Sequence, residues 1–155
     1  MAVLNILTGE NNPILRTPTL RAAKVTKDIL KILKDMEETT IASNGLGIAG
    51  PQVGQSLRIC IVKIGDKLQP LINPDITWRS TEMTVAEEGC LSLPGIWKEI
   101  ARPAAITVRY LDAKGREQER RLTDLDARVV QHEVDHLEGK LIVDYPAPIA
   151  QKIAL

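Results

Sequence analysis

The chain has 155 residues, with 20 Lys and Arg against 20 Asp and Glu, so it carries no formal net charge. With no basic excess and only two Trp, two Tyr and no Phe, it lacks both the footprint and the stacking rings for direct nucleic-acid recognition. Two cysteines make no disulfide framework, and the length suits a single domain, 1–155, large enough to bury its own core.

The N-terminus, MAVLNILTGENNP, lacks the basic start, long apolar stretch and small-residue cleavage site of a signal peptide. No apolar run reaches membrane-spanning length, so the expectation is a cytoplasmic protein with no membrane partner. Residues 1–23 read as an irregular arm, because Pro13 and Pro18 sit among Asn11, Asn12, Thr17 and Thr19. From Thr26 to about Ser43 the pattern is helical, with Ile29, Leu30, Ile32, Leu33 and Met36 on one side and Asn44-Gly45 as the stop.

GLGIAGPQVG, residues 45–54, contains the spacing of a dinucleotide loop at Gly45, Gly47 and Gly50. Its context is wrong for that role: a helix precedes it instead of a strand, and Pro51 stands where a helix should open. Glycines here would instead let backbone approach a ligand closely and present the amide of Gln52 to it. LRICIVKI, 57–64, is apolar on both faces and predicts a central strand, with Cys60 as a packed thiol inside it. Segments 70–80 and 82–89 read as short extended stretches. Segments 104–111 and 115–122 flank a hairpin turn at Asp112–Gly115, the polar second strand belonging at an exposed edge. Between these pairs, EEGCLSLPG (87–95) suggests a bend.

QHEVDHLEG, 131–139, carries the only two histidines, four residues apart with Glu133 directly after the first. On a helix both imidazoles leave the same face one turn apart, the arrangement in which two neutral imidazoles hold a divalent metal and the carboxylate works on its water. A helix is expected: Thr123 can cap it, Asp126 sits at the capping-box position, and Gly139 can end it in a left-handed turn. Leu125, Val129, Val130, Val134 and Leu137 form its apolar stripe. Position 142 is Ile, which excludes the third histidine of the metzincin pattern. Asp144 comes too soon after the helix end to be a natural ligand. The third ligand is therefore expected upstream, as the thiolate of Cys60 or Cys90. LIVDY, 141–145, reads as a short last strand, and the few residues beyond Pro146 and Pro148 read as a stub.

Three stretches now stand in one order: GLGIAGPQ (45–52), EEGCLS (87–92) and QHEVDH (131–136). Together they resemble the peptide deformylase family over nearly the whole chain. The resemblance implies an α+β fold in which the metal-bearing helix packs among small, mainly antiparallel sheets. It implies one metal held by Cys90, His132 and His136, Fe²⁺ above all, with Ni²⁺, Co²⁺ or Zn²⁺ able to replace it. The implied reaction removes the formyl group from the initiator methionine of an N-formylmethionyl nascent peptide and releases formate. Glu133 would be the general base and proton shuttle, while the Gln52 amide and the Leu91 backbone N–H would stabilise the developing oxyanion. Leu46, Leu125 and Val129 would line the methionine pocket. Gly47 and Gly89 would offer backbone hydrogen bonds to a peptide lying like an added strand.

The chain departs from the family pattern at three places. Gly50 replaces the second alanine of the glycine loop, which predicts a looser segment around Gln52. Trp97 stands in a stretch where family members vary. The chain also stops at Leu155 without the long C-terminal helix of many members, which predicts only weak ribosome binding; a monomer is expected. Two other readings compete. A non-catalytic relative with a structural metal would need a fourth protein ligand, which is not evident, and would have no use for Glu133 and Gln52. A metallopeptidase cutting internal bonds would share the helix motif but not the rest of the pattern.

Overall fold

The computed structural model describes residues 2–148. The expected stub after Pro148, and with it the expectation of weak ribosome binding, lies outside the described residues. Among the described residues no helix is long and apolar enough to cross a membrane.

The architecture is α+β. Strands β1 (Gly47–Ala49), β2 (Ile59–Ile64), β3 (Lys67–Arg79), β6 (Ala105–Leu111) and β7 (Glu117–Thr123) form one antiparallel sheet in the order β1-β2-β3-β6-β7. Strands β4 (Met83–Cys90) and β5 (Leu93–Pro103) make a second, two-stranded antiparallel sheet. Among the described residues three α-helices complete the fold: the single turn α1 (Pro13–Arg16), α2 (Lys27–Ala42) and α3 (Asp124–Leu137).

The main sheet lies between two helices, which explains why LRICIVKI is apolar on both faces. Ile59 and Ile61 of β2 pack with Ile29, Leu33 and Met36 of α2. Cys60, Val62 and Ile64, pointing the other way, pack with Ala127, Val130, Val134 and Leu137 of α3. Each such fully buried aliphatic side chain contributes about 1.5–3 kcal/mol of transfer free energy. A third cluster joins Leu93 and Ile100 of β5 to Leu141 and Ile142, with Cys90 and Tyr145 at its border.

Helix α2 begins as expected, with the Thr26 hydroxyl accepting from the Ile29 N–H at 3.2 Å. Its buried polar residues had no reading in the sequence. Asp35 and Thr39 accept the Ala2 and Leu4 N–H groups at 2.8 Å each and so stitch the irregular arm along the helix.

The structure corrects the sequence reading in five places. Part of the arm is helical: Asn12 caps α1 by accepting from the Ile14 N–H. Residues 47–49 of the glycine-rich segment form an edge strand, which the sequence reading did not assign. Strand β5 was not foreseen, because Pro94, Gly95 and Pro103 punctuate it and its central residues are exposed. Thr123 occupies the N-cap of α3 without a side-chain hydrogen bond, and Asp126 accepts from the Gly65 N–H instead of closing a capping box. Residues 142–144 make a 3-10 turn, not a strand: Asp144 accepts the Leu141 N–H, and the Asp144 N–H returns to Leu141. The edge position of the polar strand β7 and the left-handed Gly139, φ +76°, are as expected.

Candidate active site

Helix α3 crosses the face of the main sheet and presents His132 and His136 one turn apart, with ring centroids 5.0 Å apart. Cys90 reaches them from the end of β4. There the pairing with β5 shifts register, from Gly89 opposite Trp97 to Cys90 opposite Leu93. Such an irregularity re-aims a side chain, and here it turns the thiol toward the helix. One donor atom each from Cys90, His132 and His136 lies within 4.8 Å of the others, with Sγ of Cys90 3.3 Å from Nε2 of His136. Cys60, the other candidate thiol, is fully buried in β2 on the core side, and burial followed by the charge of Glu133 pushes its pKa well up. It is a packed thiol.

A buried ion cluster stands behind His132. Glu88 Oε1 lies 2.9 Å from Nδ1 of His132, leaving Nε2 toward the thiol. The same carboxylate accepts from Arg102 Nε at 2.6 Å and Nη2 at 2.9 Å, and from Arg128 Nη1 at 2.6 Å. Burial alone would raise the Glu88 pKa, but hydrogen bonds from His132 and Arg102 outweigh it and hold the carboxyl far below its ordinary range. Arg102 in turn is held by Asp135 at 2.9 Å and by the hydroxyl of Tyr145 at 3.0 Å. Arg102, Arg128, Asp135 and Tyr145 were missed in the sequence, and Glu88 was read only as part of a motif.

Gln52 is aimed from both ends. Its Oε1 accepts the Ala49 N–H at 2.9 Å, which forces Nε2 toward Ser92 Oγ at 3.1 Å and Cys90 Sγ at 4.0 Å. Its backbone carbonyl accepts the Leu7 N–H at 2.7 Å, and that of Ser92 accepts the Gly9 N–H at 3.0 Å, so the arm splints both loops. Gly50 does not loosen this segment. A Cβ there would stand 2.7 Å from the Gln55 carbonyl oxygen and 2.8 Å from that of Leu57, so the loop is packed too closely for alanine. Gly47 similarly allows Glu133 to approach, since an added Cβ would lie 3.0 Å from Glu133 Cγ.

Glu133 is 4% exposed, with Oε1 3.9 Å from His132 Nε2 and Oε2 without a hydrogen-bond partner among the described residues. Burial first, then the nearby Glu88 and Asp135, raises its pKa to about 7 against the opposing charges of His132 and Arg102. A carboxyl poised there can take up and release a proton near neutrality, and a bound cation would pull the value down again.

These groups surround a cavity of about 600 Å³. Leu46, Gly47, Gln52, Gly89, Cys90, Leu91, Leu125, Val129, His132 and Glu133 all line it, whereas His136 sits behind the wall at 1% exposure. Val129 is buried, but Leu125 is 58% exposed, so it belongs to the rim and not to the core stripe expected of it. Trp97, at 67% exposure, stands at the same rim.

The donor set fits a divalent transition metal. A thiolate and two imidazoles are borderline-soft donors, and burial keeps His136 neutral, as a ligand must be. The site also draws positive charge. In the metal-free polypeptide, burial would lower the His132 pKa, yet hydrogen bonds to Cys90 and Glu88 carry it up to about 10. No fourth His, Cys, Asp or Glu joins the group among the described residues, which matches an open catalytic site instead of a closed structural one.

Known proteins point the same way. The profile of the family described as polypeptide deformylase matches residues 3–152. The peptide deformylase of Pseudothermotoga lettingae is 41% identical over 144 residues, covering 93% of this chain and 83% of its own. The crystal structure of peptide deformylase from Thermotoga maritima superposes with a TM-score of 0.92 at 38% identity, covering 96% of this chain and 100% of that one. An actinonin-bound class I type b peptide deformylase from Acinetobacter baumannii gives a TM-score of 0.89 at 33% identity, over 95% of this chain and 100% of its own.

Proposed function

This chain belongs to the polypeptide deformylase family, and from that premise we propose how its own residues carry out the reaction. It is a metallohydrolase that removes the N-formyl group from nascent peptides. The observation that carries the residue assignments is the convergence of Cys90, His132 and His136 between Glu133 and the amide of Gln52.

Cys90, His132 and His136 would hold one divalent ion, Fe²⁺ in the native state. When bound, the ion supplies a water acidic enough to give hydroxide near neutrality and polarises the carbonyl as a Lewis acid. Glu133 takes up the proton of the attacking water and delivers it to the leaving amine. As the formyl oxygen gains charge, Gln52 Nε2 and the Leu91 N–H donate to it. Ala49 and Ser92 hold the Gln52 amide in place, so no reorganisation is needed at that moment. Leu46, Leu125 and Val129 take the methionine side chain. Gly47 and Gly89 pair with the peptide backbone, and the small formyl hydrogen is selected over a methyl by lack of space.

We further infer one catalytic domain acting as a monomer in the cytoplasm on formylmethionyl chains. The test is formate release from formyl-Met-Ala by protein purified without oxygen, with metal content measured on the same preparation. Formate release with about one metal per chain supports the assignment. Cleavage of an unblocked peptide instead would support an internal metallopeptidase, and a metal without either activity a structural site.

A further inference from the structure

The free edge of β4 runs past the reactive cavity, because β4 pairs only with β5 among the described residues. Its two faces differ. Thr84 and Glu88 point toward α3, where Arg128 donates to the Thr84 hydroxyl at 3.2 Å and to the Glu88 carboxylate at 2.6 Å. Gly89, one residue along, therefore belongs to the opposite face, and Trp97 lies directly across from it on β5. The indole rests on Gly89: a Cβ built there would come within 2.6–2.9 Å of three ring carbons. The backbone to which the peptide would pair thus carries a large aromatic plate on the side away from α3. That plate is 67% exposed and lines the cavity.

Side chains of an added strand alternate between the same two faces. With the methionine side chain in the pocket by Val129 and His132, on the α3 side, the next side chain must point to the other face. We propose that Trp97 is a specificity-determining residue that favours an apolar or aromatic side chain immediately after the formyl-methionine. This rests on the deformylase reading above and on the peptide lying along β4. Trp97 would touch the second side chain and not the reacting atoms, so its effect belongs mainly in KM.

The test compares kcat/KM for formyl-Met-Phe amide and formyl-Met-Gly amide on nickel-loaded protein. Wild type should favour the phenylalanine peptide by about tenfold, the worth of one well-placed aromatic pair. Trp97→Ala should reduce the ratio to near unity, and Trp97→Phe, which restores a ring, should keep most of it. Metal content and far-UV dichroism on each preparation guard against a folding defect. An unchanged ratio in Trp97→Ala, or no preference in wild type, would overturn the proposal. Failure of metal-replete wild type to deformylate either peptide would overturn the deformylase reading itself.

Discussion

Glu88 Oε1 sits 2.9 Å from His132 Nδ1, while its other oxygen is gripped at 2.6 Å by both Arg102 and Arg128. The ring proposed to offer Nε2 to a metal is therefore fixed by a carboxylate that is itself immobilised. Replacing Glu88 by Gln keeps the shape but removes the charge that orients the imidazole. We expect metal affinity to fall by about 10–100-fold, the usual worth of such a partner. Competition with a chelator measures it, and unchanged affinity would show that His132 needs no such support.

The two thiols should separate cleanly. Cys90→Ser should lose the metal or the activity, because a hydroxyl is a poor substitute for a thiolate in this donor set. Cys60→Ser should keep both, at a stability cost of about 1–3 kcal/mol for a hydroxyl buried without a ready partner. Metal loss from Cys60→Ser with Cys90 intact would reverse the assignment.

The order in which the site became legible has a physical basis. His132, Glu133 and His136 were readable because their chemistry follows a helical spacing within five consecutive residues. Strand β2 was readable because it is buried on both faces. Arg102 was not, since it acts across 33 residues on Asp135 and lies on β5, a strand hidden by its prolines and exposed middle. Ser92 was missed for a related reason. A serine after Cys90-Leu91 carries no periodic signal, and only the fold brings it 3.1 Å from Gln52.

The hairpin tip offers a pH test away from the site. Asp112 accepts the Arg116 and Lys114 N–H groups at 2.9 Å each, and these bonds, led by Arg116, take its pKa from an ordinary 3.8 to about 2. A carboxyl depressed in the folded state stabilises it above the unfolded pKa and loses that effect as pH falls through the folded one. Asp112→Asn should therefore melt below wild type at neutral pH. The gap should close between about pH 4 and pH 2. A gap constant across that window would contradict the account.

Ferrous iron held beside the Cys90 thiolate, as proposed, would place an oxidisable metal next to an oxidisable ligand. The iron form should lose activity in air within minutes to hours, and the nickel form should persist. Parallel time courses on the two forms decide this, and equal lifetimes would contradict the proposed iron site.

Glu133 separates an active site from a metal clip. It is not among the three grouped donors, and its Oε2 is buried without a hydrogen-bond partner among the described residues. Glu133→Gln preserves the shape and removes the proton acceptor. Metal content, formyl-peptide affinity and kcat on formyl-Met-Ala should be measured on one preparation. Our account predicts one metal retained, affinity largely preserved, and kcat lowered by at least about 10²–10⁴. Unchanged kcat at full metal occupancy would contradict it.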